Sequence, residues 1–340
     1  MPHPSPRTPT ILLTGASGQL GRRLLPRLIE AGYAVRPHYR NAERARKFCP
    51  PGTAHVMGDL LDPAWIDNAV AGCEIVIHGA ARVSLSLGRH EEHRLINVDG
   101  TRKVVEACRH NGVRRLIFVS TVAAVGASED GRPIDETAPF NLAGYNIPYA
   151  ETKREAEQLA LDANGAGLEV VSVNPSIMIS PPDRPVTERD LRKIPRIIPA
   201  YFDFGVNVVE TEDVIKGILG SIEKGRPGER YLLTGENLGP GRAFELIERY
   251  FGIKKPSMKL PVFFLYPIAT IIELFAKIKG KRPRFHRGLA KLARLRFFYT
   301  NEKARRELGF SPRPLEETIA DILSGIERFK DKRGPTWQRR

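Results

Sequence analysis

The chain has 340 residues, enough to bury one large core or two coupled ones. Its three cysteines, Cys49, Cys73 and Cys108, lie far apart without a C-x-x-C pair, which argues against a disulfide framework or a zinc site and suits a reducing, cytoplasmic compartment. The formal charge of +14 resides in residues 251–340, with 22 Lys/Arg against 8 Asp/Glu; no compact basic motif with interleaved aromatics accompanies it, so an anionic substrate or an anionic membrane surface suits it better than nucleic acid.

Residues 1–9 are proline-rich, lack the apolar stretch of a secretory signal, and read as a disordered lead-in. Short β-branched runs then alternate with amphipathic stretches, predicting strands at 10–13, 33–39, 54–58, 74–78, 115–120 and 169–173 and helices at 19–31, 64–71, 97–111 and 149–163. This is the pattern of a doubly wound parallel sheet, an α/β Rossmann fold.

Between the first strand and the first helix stands Thr14-Gly15-Ala16-Ser17-Gly18-Gln19-Leu20-Gly21, whose glycine spacing allows a tight turn and lets backbone approach a pyrophosphate at the helix N-terminus. The second strand ends in Tyr39-Arg40, where NAD-binding folds usually carry an acidic residue for the ribose 2′-hydroxyl; Arg40, with Arg36, favours a 2′-phosphate, hence NADP(H) over the alternative NAD. Gly58-Asp59-Leu60 follows the third strand, with Asp59 placed to accept a hydrogen bond from the adenine amino group. His78-Gly79-Ala80-Ala81 follows the fourth, offering small residues where backbone passes close to the cofactor. His90-Glu91-Glu92-His93 spaces its histidines three apart rather than four, so no metal is expected and a solvated helix is the reading.

Ser120 and Thr121 end the fifth strand, at the edge where open sheets bind ligands, and a hydroxyl there can polarise a carbonyl. Tyr149 and Lys153 open a helix four residues apart, on one face. A phenol of ordinary pKa ~10 is a poor acid–base group unless a nearby cation stabilises phenolate, and Lys153 supplies that cation. Beyond Pro175 comes a proline-rich stretch, and 206–223 reads as a return to the sheet. The dinucleotide domain is therefore placed at 10–175 and 206–225, a smaller, mostly helical substrate lobe at 176–205 and 226–329, and a basic tail at 330–340. Residues 260–276 are apolar, too short to span a bilayer, and lead into a basic run to 296; a lid over an apolar pocket is the first reading and peripheral membrane contact the second.

Through TGASGQLG, GDLLD, HGAA, INVDGT, FVST and YAETK the chain resembles the extended short-chain dehydrogenase/reductases, also called the NAD-dependent epimerase/dehydratase family. VNPSIMISP, EKGRPGERYLLTGENL and FFYTNEKARRELGFSPRPLEE resemble its dihydroflavonol 4-reductase-like and 3β-hydroxysteroid dehydrogenase-like branch, and also proteins named hopanoid-associated sugar epimerases. The resemblance implies that Thr121 is the catalytic hydroxyl, that Ser120 lines the nicotinamide, that Asn97 organises the site, and that Asn174, Pro175 and Ser176 contact the nicotinamide end. It also implies a homodimer through helices that include the Tyr149–Lys153 helix. Two enzymes fit: an NADPH-dependent reductase of a ketone or aldehyde on a lipophilic substrate, favoured by Arg40 and the apolar lobe, and a nucleotide-sugar epimerase with retained NAD. A catalytically idle dinucleotide sensor is disfavoured by the intact acid–base pair.

Overall fold

The computed structural model describes residues 8–84, 90–182, 200–280, 283 and 285–331; most of the expected lead-in, the proline-rich residues 183–199 and the tail from 332 lie outside them. The apolar runs of the first half form β1 (Thr10–Thr14), β2 (Ala34–Tyr39), β3 (Val56–Met57), β4 (Ile75–His78), β5 (Arg115–Val119) and β6 (Glu169–Pro175). Later come β7 (Ile177–Ile179), β8 (Ala200–Phe202), β9 (Val206–Glu210), β10 (Arg230–Leu233), β11 (Glu236–Leu238) and β12 (Met258–Leu260). The main sheet runs β3-β2-β1-β4-β5-β6-β10 and is parallel throughout, so its order reverses between β1 and β4.

Alternation along these strands builds a core on each face. Ile11 and Leu13 face the side covered by α1 (Gln19–Glu30), while Leu12 faces the side covered by α3 (Pro63–Val70); Val76 and Ile77 part in the same way. A further helix, α2 (Ala42–Phe48), follows β2; the Asn41 side chain caps it by accepting from the amides of Glu43 and Arg44. The predicted helix 97–111 begins earlier, as α4 (His90–His93), passes through a π-helical stretch at Arg94–Asp99, and continues as α5 (Gly100–His110). The catalytic-motif helix is α6 (Pro148–Asp162), started by Pro148 in the first turn.

The stretch 206–223 does not rejoin the main sheet. Val206–Glu210 pairs with β7 and β11 in a separate three-stranded sheet, and α7 (Thr211–Lys224) crosses over to pack on α1 before β10 adds the seventh strand. A short valine-rich run suits a strand of either sheet, and only the chain path decides between them. The chain also forms α8 (Pro240–Phe251), α9 (Leu265–Ile278), α10 (Arg287–Leu292), α11 (Glu302–Leu308) and α12 (Leu315–Asp331). Strand β10 belongs to the main sheet and α11 packs on it and on α7, adding Ala304 and Leu308 to the core beneath α1, so the expected lobe at 226–329 is not one continuous piece. Tyr299 ties the later part of the chain to the earlier: its hydroxyl donates to the Gly126 carbonyl (2.7 Å) and its amide donates to Asn237 Oδ1 (3.0 Å).

The apolar segment 260–276 forms most of α9, which packs on α10 and on the 3-10 turn Val262–Phe264 and has Ala269 as its one buried residue. No helix among the described residues is long and apolar enough to cross a membrane.

Candidate active site

Parallel pairing aligns the strand ends, with Thr14 opposite His78 and His78 opposite Phe118, so the loops after β1 to β6 share one edge of the sheet. Gly15 has φ +78°, and a Cβ there would stand 2.7 Å from the Gly79 backbone; the loops after β1 and β4 therefore touch at the point where strand order reverses. A Cβ on Gly21 would stand 2.2 Å from the Gly15 carbonyl oxygen, which keeps α1 pressed against its own entry loop. Gly18 precedes α1 with no side-chain cap, and the first turn, which includes Gln19 and Leu20, holds no acidic residue, so its free amides suit an anion.

Around this cradle Ser17 is half-buried and Arg40 and Asp59 are exposed, Asp59 accepting a hydrogen bond from the Leu61 amide (3.0 Å). Leu60 turns its side chain into the core, and Ala80 and Ala81 are half-buried. Arg36, expected beside Arg40, is spent elsewhere: it donates to the carbonyls of Ala69 (2.8 Å) and Ala71 (2.9 Å) at the end of α3. Tyr39 is wholly buried and so offers the crevice no side chain. At the other end, the hydroxyls of Ser120 and Ser176 are buried and find no hydrogen-bond partner in the protein. A lone buried hydroxyl is costly, and a bound polar group would relieve both. The glycine cradle, uncapped helix and orphaned hydroxyls fit a dinucleotide.

Tyr149, Lys153 and Glu157 line one face of α6 at successive four-residue steps. Burial pushes the Tyr149 phenol up from its ordinary value, and a side-chain hydrogen bond with Thr121 opposes that shift. Lys153 is buried, donates to the Val119 carbonyl (2.7 Å) and stands 4.2 Å over the Phe118 ring. Burial lowers its ammonium to about 7, and the Glu157 charge works to hold it up. Glu157, fully buried, was not picked out from the sequence, although the Tyr-Lys spacing extended by one turn leads to it. Its Oε1 accepts from Ser172 (2.7 Å) and Asn174 (2.6 Å), and Arg230 (3.6 Å) and Arg154 (3.9 Å) flank its Oε2. The Asn174 amide also donates to the Thr121 carbonyl (3.1 Å), so this side chain supports the site from below, while Pro175 and Ser176 continue the strand to its edge.

Asn97 stands in the π-helical stretch, its Oδ1 accepting from the Arg82 amide (2.7 Å) and its Nδ2 donating to Thr152 Oγ1 (3.1 Å), which ties the loop after β4 to the start of α6. Thr101 donates to the Asn97 carbonyl (2.6 Å) and so accepts from His78 Nε2 (3.1 Å), leaving His78 Nδ1 to accept from Thr14 (2.7 Å). That tautomer is neutral, and burial with the nearby Lys153 cation lowers His78 to about 3. His93 corrects the solvated-helix expectation. His90 is exposed, but the His93 ring is completely buried with its centroid 6.4 Å from that of Tyr149. It lies one turn before Asn97, so it shares the helical face that reaches the site.

Residues 11–205 match the NAD dependent epimerase/dehydratase family. The chain belongs to this family. Within its extended short-chain dehydrogenase/reductases the chain is an NAD(P)-dependent oxidoreductase. A putative dihydroflavonol 4-reductase of Synechocystis is 30% identical over 318 residues, which cover 92% of each chain. A 4-hydroxy-2-methyl-3-oxo-4-farnesyl-3,4-dihydroquinoline-1-oxide ketoreductase of Stigmatella aurantiaca is 32% identical, covering 92% of this chain and 94% of its own. The structure of a UDP-glucose 4-epimerase from Thermotoga maritima with UDP-glucose shares the fold, with a TM-score of 0.71 at 22% identity over 95% of this chain and 99% of that one.

Proposed function

We propose that this oxidoreductase is an NADPH-dependent reductase of a ketone or aldehyde on a lipophilic molecule, with Tyr149 as proton donor. The observation that carries the reading is the phenol and the ammonium on one face of α6, with the ammonium held by the Val119 carbonyl at the end of β5. Gly15, Ser17, Gly18, Gln19, Leu20 and Gly21 would hold the pyrophosphate, the Asp59 side chain and the backbone of Leu60 the adenine, Arg40 the 2′-phosphate, and Ala80, Ala81, Ser120, Pro175 and Ser176 the path to the nicotinamide. The bound cofactor supplies the hydride. Thr121 donates to the carbonyl oxygen, and Tyr149 passes it a proton as negative charge develops there. The Lys153 cation stabilises the phenolate left behind, and its anchoring to Val119 keeps it on that side of the phenol. Reductases of a dihydroflavonol and of a farnesylated quinoline among the relatives favour a lipophilic substrate.

Tyr149→Phe should lower kcat by roughly 10²–10⁴-fold, the range for general acid catalysis, and leave NADPH affinity unchanged; undiminished turnover would remove Tyr149 from the mechanism. The nucleotide-sugar epimerase reading is supported by the shared fold and requires retained NAD. Mass analysis of nucleotide released on denaturation separates them: stoichiometric NAD supports the epimerase, and an empty protein that prefers NADPH supports the reductase.

A further inference from the structure

Nine of the large apolar side chains that stand in solvent fall between Phe263 and Ile278, among them Phe263 (59% exposed), Ile271 (55%), Leu274 (58%), Phe275 (58%) and Ile278 (72%). The side of α9 turned to the protein is a narrow stripe of Leu265, Ala269, Glu273 and Ala276, and the remaining circumference up to Phe275 is mostly apolar. The one carboxylate on the helix, Glu273, is bound by Arg287 through both its amide (2.6 Å) and its guanidinium (2.9 Å). In the sequence from 254 to 284 every other charge is positive. Lys254, Lys255, Lys277 and Lys279 are exposed, and none of them pairs with a carboxylate among the described residues; the sequence continues with Lys281, Arg282 and Arg284.

We propose that α9 and the preceding aromatic turn dock the protein on an anionic lipid surface, with the helix lying in the plane of the interface. Fourteen residues make a helix about 21 Å long, short of the ~30 Å hydrocarbon core, so it cannot cross. Apolar side chains around most of the circumference suit immersion among acyl chains, whereas a second copy of the chain would cover a single side. The lysines lie where lipid headgroups would meet them, and each contributes about five-fold to partitioning on an anionic surface. The helix also adjoins the chemistry: α10, on which it packs, joins the apolar cluster that contains Ile147 and Ala150 beside Tyr149. The inference does not rest on the reductase reading.

The test is flotation of the full chain with vesicles of phosphatidylcholine alone and with 30% phosphatidylglycerol, an amount chosen on the order of the anionic content of cell membranes. The wild type should float with the anionic vesicles and lose most of that binding in high salt. Ile271→Ser/Leu274→Ser/Phe275→Ser should bind about ten-fold less or worse, and Lys277→Gln/Lys279→Gln should bind several-fold less to anionic vesicles only. All five positions are exposed, so unchanged melting and dinucleotide binding show that the variants fold. Absence of vesicle binding by the wild type, equal binding to both vesicle types, or a dimer in solution that the triple variant abolishes would each overturn the proposal, the last by assigning the face to a second copy.

Discussion

Glu157 sits one turn beyond Lys153 with no exposure, and its two hydrogen-bond donors, Ser172 and Asn174, both address Oε1. A glutamine keeps that acceptor and removes the charge. Since the glutamate is what raises the Lys153 ammonium against burial, Glu157→Gln should lower the pH at which Lys153 loses its proton, and with it the cation that stabilises phenolate. The alkaline limb of kcat/KM should therefore move to lower pH, with a several-fold larger loss of rate at pH 8 than at pH 6. A uniform fall in rate with an unshifted profile would reduce Glu157 to a structural support for Asn174. Arg154 and Arg230 flank the same carboxylate, so their partial release on substitution belongs to the same measurement.

The β1-to-α1 connection concentrates backbone contacts that no side chain can share. Gly21→Ala would set a methyl 2.2 Å from the Gly15 carbonyl oxygen, backbone against backbone, while a methyl on Gly18 would lie 3.2 Å from the same oxygen and need only a small adjustment. Gly21→Ala should thus cost about 1–3 kcal/mol of stability, the range for overpacking, and weaken NADPH binding by more than ten-fold, with Gly18→Ala milder in both. Equal melting temperatures and NADPH dissociation constants for the two variants would show that α1 shifts freely. Elements of this kind are legible in a sequence because local chemistry dictates them: glycine where a Cβ cannot fit, a short continuous apolar run where a strand has two covered faces. What was not legible depended on partners distant in the chain. Helix α2 is absent from the sequence expectation: Ala45 is its one buried residue, so it carries no apolar period to read, and the Asn41 cap alone marks its start. Val206–Glu210 has three valines in five residues and so reads like a strand of the main sheet, and its pairing with β7 and β11 is a matter of topology. His93 and Glu157 look like surface charges in a list of residues and become site residues only once the π-helical stretch and α6 are packed together.

Taken over the whole molecule, the buried titratable groups set a stability optimum that is neither acidic nor strongly alkaline. His38, His78 and His93 are all held below their ordinary value, by burial first, His78 to about 3. The unfolded chain takes up their protons near pH 6.5 while the folded protein refuses them, so their contribution is complete above that pH and drains away as pH falls toward the folded values. Each neutral histidine adds a slope of up to about 1.4 kcal/mol per pH unit. Lys153 has the same sign higher up: with a folded value of about 7 against an unfolded ~10.4, stability climbs as pH rises from 7. Burial moves the thiols of Cys73 and Cys108 and the phenols of Tyr39, Tyr149 and Tyr299 upward, so the unfolded chain ionises first and stability is lost above about 8.5 for the thiols and 10 for the phenols. Glu136, raised by burial, gives back a little stability on acidification, near the carboxylate range alone. Urea midpoints measured from pH 4.5 to 10 should peak between about 7 and 9 and fall already between 6.5 and 5, before ordinary carboxylates titrate. A midpoint that stays flat down to pH 5 would mean that the three histidines are protonated in the folded protein, and would break the Thr14–His78–Thr101 chain that fixes the His78 tautomer beside Lys153.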